Sequence, residues 1–166
     1  MSRLPTWAQL TSDPRATMIG MNVWPPFAAA GIQVRQIGAD WRTATVVLRH
    51  LPWTRNYVGT AYGGSLFSMA DPFFMILTLR SLGPGFVVWD KAGEIDYVSP
   101  GRGTVTARFE VTDADLDEIR AEVEARGKAL KWYSADLLAA DGTVVARVRK
   151  QVYVRRKDDS LPHGRQ

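Results

Sequence analysis

The longest apolar stretch of the chain runs from Gly64 to Leu82. Its residues Leu66, Phe67, Met69, Ala70, Phe73, Phe74, Met75, Ile76, Leu77 and Leu79 fall on every side of a helical wheel. A helix that is apolar all round has to be wrapped by other structure. Asp71 and Pro72 interrupt the run, which falls short of the ~20 apolar residues of a membrane span. It therefore predicts the buried axle of a soluble domain, with one charge, Asp71, in its interior. Pro72 removes a helical hydrogen bond and disfavours helix at the residue before it, so a kink that frees the Ser68 carbonyl is expected there. Asp71 is then either part of a packing kink, its carboxylate bonded to backbone, or part of a functional site.

Around this axle the pattern changes to period two. Ile32 to Ile37 reads as a weak strand, Gly38-Ala-Asp40 as a turn, and Thr43 to Arg49 as a strand with Ala44, Val46 and Leu48 on one face. Leu51 to Thr60 is a loop. Phe86 to Val98 is rich in β-formers, with Gly93 as a candidate bulge. Val105, Ala107, Phe109 and Val111 alternate with polar residues in a further strand. Thr112 to Arg126 predicts a surface helix, acidic in its first turn and closed by Gly127. Leu130 to Ala139 and Thr143 to Val154 form a hairpin over Asp141-Gly142. At the N-terminus, Ser12-Asp-Pro-Arg15 starts a short helix to about Met21, which Trp24-Pro-Pro-Phe27 ends.

These elements divide the chain into a helical lead-in over residues 1–30, a single domain over 31–155 and a disordered tail over 156–166. The fold class is α+β: five or six mostly antiparallel strands curled around one apolar helix. Such a sheet has exposed edges that need covering or pairing, and a homodimer joining two sheets would supply that.

Composition narrows the chemistry. The chain has 166 residues, no cysteine and two histidines, His50 and His163. Disulfides, thiolate nucleophiles and sulfur-ligated metals are excluded, and a histidine-rich metal site is not expected. The net charge of +4 is modest, and much of it lies in Arg147, Arg149, Lys150, Arg155, Arg156 and Lys157, which read as a solvated strand face and a loose tail. No basic run with interleaved aromatics points to nucleic acid. The first 30 residues hold four prolines and no long apolar run, so no export signal is expected and the cytoplasm is the default compartment.

The order of elements resembles the hotdog fold, and the residues carry the resemblance further. Asn56-x-x-Gly59-Thr60-x-Tyr62-Gly63-Gly64-Ser65-Leu66-Phe67-x-x-x-Asp71 is similar to the signature of the phenylacetate-pathway (PaaI-like) type of hotdog acyl-CoA thioesterase. Trp24-Pro-Pro-Phe27, Asn56 to Pro72, Val88-Trp-Asp-Lys-Ala92 and Pro100-Gly-Arg-Gly103 more closely resemble an uncharacterised hotdog family related to those enzymes, over roughly residues 15 to 157. One position departs from the thioesterase pattern. Tyr62 stands where that pattern has histidine, and a phenol donates a hydrogen bond but is no base near neutral pH.

The resemblance implies an acyl-CoA thioesterase. Asp71 would be base or nucleophile, Gly63 the backbone oxyanion donor and Asn56 the residue that orients water. Tyr62 would take a polar role in place of the histidine. Gly63 and Gly64 also let a ligand approach the backbone, and N–H groups at a helix start favour developing negative charge; close packing explains a glycine pair equally well. Gly64, Ser68, Met69, Phe74 and Met75 are candidates to contact substrate, with Phe73 beside them in an apolar slot. Arg102 is a basic group for the coenzyme's phosphates. Ser65 and Ser68 have no histidine to activate them and no nucleophile elbow. The acyl-CoA thioester enters as substrate, with no cofactor and no metal. Gly63 and Asp71 are eight residues apart in sequence, about 12 Å along a helix. One carbonyl cannot span that distance, so a shared site requires two antiparallel helices from different protomers. A homodimer, or a dimer of dimers, follows. Two alternatives remain open: a catalytically silent acyl-CoA or lipid-like ligand binder, suggested by Tyr62, and a hotdog hydratase, for which no histidine lies near the helix.

Overall fold

A computed structural model describes residues 12–157. The tail residues 158–166, with His163, lie outside the described residues, as do residues 1–11 of the lead-in.

The chain begins with α1 (Pro14–Val23), started by Asp13, whose carboxylate accepts from the Ala16 N–H at 2.9 Å. The Trp24-Pro-Pro-Phe27 segment does more than stop α1. Its prolines occupy the first positions of a second short helix, α2 (Pro25–Ala30), where a missing N–H costs nothing. Gly31, at φ 74°, ends α2 and turns the chain into β1 (Ile32–Ile37). β2 (Thr43–Leu48) follows, then a 3₁₀ turn at Pro52–Thr54. Next come α3 (Gly63–Ser68), α4 (Phe73–Leu82), β3 (Phe86–Tyr97), β4 (Val105–Glu110), α5 (Asp113–Arg126), β5 (Lys128–Ala139) and β6 (Val144–Arg156).

The six strands form one antiparallel sheet in the order β1-β2-β4-β5-β6-β3. It curls around the central helices, the hotdog arrangement expected from the sequence. The alternating residues Val46, Ala107, Phe109, Leu137, Val148, Val152 and Val154 face inward and are fully buried. Against them pack Leu66, Met69, Phe73, Phe74 and Leu77 from the axle. Phe109 stacks on Phe73 and meets the edge of Phe74, while Phe74 stacks on Tyr133 at 4.8 Å. The Tyr133 hydroxyl accepts from Thr78 at 3.3 Å, and burial pushes its phenol up to about 12. α5 closes one side with Leu116, Ile119 and Val123, its start capped reciprocally by Thr112 and Asp115.

The axle differs from the expected single kinked helix. It is two helices, α3 and α4, separated by a turn over residues 69–72. The Ser68 carbonyl is not freed: it accepts the Asp71 N–H at 3.2 Å. Pro72 instead opens a new helix, with its carbonyl accepting from the Ile76 N–H. A proline without an N–H cannot continue the first ladder but can start the second. Nor is the axle wrapped on all sides. Phe67, Met75, Ile76 and Leu79 are only half-buried, so part of the axle surface is left uncovered by the described residues.

The two sheet edges differ as well. Asn22 of α1 caps β1: its side-chain amide accepts from the Val34 N–H at 2.7 Å and donates to the Val34 carbonyl at 3.0 Å. β3, at the other edge, pairs only with β6 among the described strands. Its bulge falls between Asp90 and Ala92, at Lys91, rather than at Gly93. No helix among the described residues is long and apolar enough to cross a membrane.

Candidate active site

The segment leading into α3 is laced to its surroundings before the helix begins. Ala61 N–H donates to the Gly101 carbonyl and Tyr62 N–H to the Thr54 carbonyl. The first bond of α3 runs from Leu66 N–H to the Tyr62 carbonyl, so the N–H groups of Gly63, Gly64 and Ser65 lie ahead of the ladder. Two exposed tyrosine rings lie close against both glycines. A methyl group on Gly63 would fall 2.8 Å from the Tyr97 hydroxyl of β3, and one on Gly64 would fall 2.4 Å from the Tyr62 ring. The pair therefore keeps two aromatic rings close to the helix start. Tyr62 itself is 56% exposed, and its hydroxyl has no hydrogen-bond partner among the described residues.

Asn56 is occupied. Its side-chain oxygen accepts from the N–H groups of Val58 and Thr60, and its nitrogen donates to the Thr60 hydroxyl at 2.8 Å. These bonds close the 56–60 loop on itself: the amide oxygen holds two backbone N–H groups and the amide nitrogen spends one of its two donors on the Thr60 hydroxyl.

Asp71 sits in the turn between α3 and α4. Contrary to the expected burial, its side chain is 61% exposed in the single chain. The break in the axle takes residue 71 off the apolar face. Its carboxylate bonds not to backbone but to the Lys150 ammonium, at 2.7 Å. Lys150 lies on the inward face of β6 between Val148 and Val152 and is 3% exposed. A second carboxylate, Asp90 of β3, lies 3.4 Å from the same ammonium. The Phe67 ring is the third neighbour, its centroid 5.5 Å from the charge. A buried ammonium thus ties together the helix turn, the edge strand and the core of the sheet.

The other expected substrate contacts separate into two groups. Ser68 is exposed, like Asp71, and Met75 is half-buried. Met69 and Phe74 are fully buried among this chain's own core residues. Gly64 is half-buried under Tyr62, and Arg102 is exposed in the turn beyond β3. Asp90 faces inward to Lys150, while its neighbour Lys91 is exposed at the bulge.

Lys150 was missed because its neighbours Arg147 and Arg149 point outward, to Asp136 and Glu94, and the run reads as one basic cluster. The signal was its parity. Ala146, Val148, Lys150, Val152 and Val154 share one face of β6, and a lone lysine among them is an inward charge.

Asp90 has a distinct electrostatic position. Burial pushes its carboxyl above the usual carboxylate range, the Lys150 charge partly offsets that, and the Asp71 charge adds to it. One of its oxygens, Oδ1, is buried without a hydrogen-bond partner among the described residues. A carboxyl whose folded pKa is raised loses its contribution to stability as the pH rises through that pKa. Ionised Asp90 therefore costs stability at pH 7. Asp90→Asn is expected to raise the melting temperature at pH 7, with the gain closing as the pH falls through Asp90's own titration. Thermal melts of both proteins between pH 4 and 8 check this. A variant less stable than the parent at pH 7 would show that the ion pair outweighs burial.

Residues 15–154 match the family model of a domain of unknown function, DUF4442. No curated protein matches the chain significantly. Among solved structures, a Pseudomonas aeruginosa protein named a probable thioesterase superposes with a TM-score of 0.76 at 19% identity, over 86% of this chain and 95% of that one. A Haemophilus influenzae thioesterase gives 0.66 at 14% identity, over 93% and 96%. The Escherichia coli PaaI protein from the phenylacetic acid degradation operon gives 0.58 at 22% identity, over 82% and 87%. At these identities the likeness establishes a common fold.

Proposed function

The chain belongs to the DUF4442 family, with a PaaI-like hotdog fold, and from that premise we propose that it is an acyl-CoA thioesterase whose site is shared between two protomers. The observation that carries this is Asp71: a solvent-facing carboxylate, paired with a buried ammonium, in the turn that splits the axle. A partner chain covering that turn would desolvate it. Gly63 opens α3 and Asp71 lies in the turn beyond its other end, with the six residues of the helix, ~9 Å long, between them. One carbonyl meets both groups only when they come from different chains.

The reaction follows from these groups. Asp71 of one protomer takes a proton from water as the oxygen attacks the thioester carbonyl carbon. The carbonyl oxygen becomes an oxyanion held by the Gly63 N–H of the other protomer. Its collapse breaks the carbon–sulfur bond, and the proton on Asp71 passes to the departing thiolate. The products are a carboxylic acid and free coenzyme A; no cofactor or metal takes part. The open β3 edge and the half-buried Phe67, Met75, Ile76 and Leu79 are the surfaces a second copy would cover.

A panel of acyl-CoAs of graded length, with thiol release followed by a colorimetric reagent, tests the activity. Light scattering at micromolar concentration, expected to give twice the chain mass or four times it, tests the shared site. A folded monomer would remove both dimer and shared site. Tyr62, exposed where the thioesterase pattern has a histidine, favours one second reading, a silent acyl-CoA binder. Acyl-CoA that binds in calorimetry but is turned over by neither wild type nor Tyr62→Phe would make binding the function.

A further inference from the structure

Building on the thioesterase reading, we propose that Lys150 is a positioning residue: its buried ammonium holds the Asp71 carboxylate in the one orientation in which it can act on substrate. Asp71 is mostly exposed, and Lys150 is its only side-chain partner among the described residues. An exposed carboxylate without such an anchor exchanges among rotamers. Catalysis by a positioned group depends on its placement, and a displacement of ~1 Å can cost ~100-fold in rate.

Lys150 is built to be rigid. β6 is paired on both sides, with β5 and with β3, so the lysine backbone is fixed by two ladders. Its stem passes Gly93 of β3, where a methyl group would fall 3.2 Å from the stem and 2.7 Å from Phe67. Gly93 therefore leaves the room that the lysine stem and the Phe67 ring share. Beside it on β5, Tyr133 is paired in register and held by Thr78. Asp90, 3.4 Å from the ammonium, completes the anchorage. As a stabilising device this arrangement is weak, since a buried ion pair is often matched by apolar residues of the same volume. As a way of fixing the direction of a carboxylate in an exposed turn, it is specific.

The test compares Lys150→Met in an Asp90→Asn background with Asp90→Asn alone. Methionine keeps the unbranched stem, and asparagine avoids stranding a buried carboxylate without its partner. Two readouts are taken on the full chain: kcat and KM for the acyl-CoA it hydrolyses, and the Asp71 α–β proton couplings by NMR. The expected result is a fall in kcat of about 10- to 100-fold with KM changed less than about threefold. The Asp71 couplings should move from single-rotamer values to averaged ones. Unchanged couplings, or unchanged kcat in a folded double variant, would overturn the proposal. A wild-type chain that turns over no acyl-CoA, while the couplings still average on loss of Lys150, would remove the thioesterase reading and leave the orienting role intact.

Discussion

Asp71→Asn is expected to lower kcat at least ~100-fold while leaving the fold, the assembly and ligand binding in place. Acid–base and nucleophilic groups typically contribute ~10²–10⁴-fold, and asparagine keeps the shape while removing the charge. Stability should change little. Asp71 is largely exposed, and Lys150 keeps Asp90 as a partner when Asp71 becomes neutral. The opposite pattern belongs to a packing kink: activity nearly intact, with stability lowered by ~1–3 kcal/mol through lost hydrogen bonds. The structure already weighs against that pattern, because the turn at 69–72 is held by backbone bonds and the carboxylate points away from them to Lys150. Steady-state kinetics and a denaturant melt on the same preparation separate the two outcomes.

The parts of the molecule that sequence made legible are those set by local signals. The Asp141-Gly142 turn, the capped helix ending at Gly127 and the period-two strands all stand where patterning puts them, to within one or two residues. The order of elements was enough to suggest the curled sheet. What escaped depends on contacts distant in sequence. Lys150 and Asp71 are 79 residues apart, and nothing local at either one names the other. The bonds Asn56 makes with Val58 and Thr60 are equally hidden, because these are ordinary loop residues whose geometry appears only on folding. The exposure of Asp71 follows from where Pro72 restarts the helix, a choice between a kink and a full break that composition does not decide. The Gly63-Gly64 pair has a steric reason that sequence could only list as one option: rings of Tyr62 and Tyr97 lie against it. That reason is compatible with an oxyanion role, since close packing of the Cα atoms leaves the N–H groups ahead of the helical ladder.

Phe74→Ala is expected to act on stability rather than on substrate. The apolar residues around Asp71 made Phe74 a candidate contact of an acyl group, and in the folded chain it is 1% exposed, stacked on Tyr133 and set edge-on to Phe109. Truncating such a ring removes its transfer free energy and leaves a cavity, a loss of ~3–5 kcal/mol. For a chain of this size that corresponds to a fall in melting temperature of about 6–20 °C. The loss is a large share of an ordinary domain's ~5–15 kcal/mol. It should also loosen the Tyr133–Thr78 hydroxyl pair, whose ring loses its stacking partner. Met75→Ala, at a half-buried position, should cost less in stability and, on the thioesterase reading, act more on KM for long acyl groups. Urea melts give the stability terms, and KM measured well below each variant's melting temperature gives the binding terms. A Phe74→Ala protein that melts like the parent but shows a raised KM would mean that the acyl slot opens into the core when substrate binds, with Phe74 as its wall.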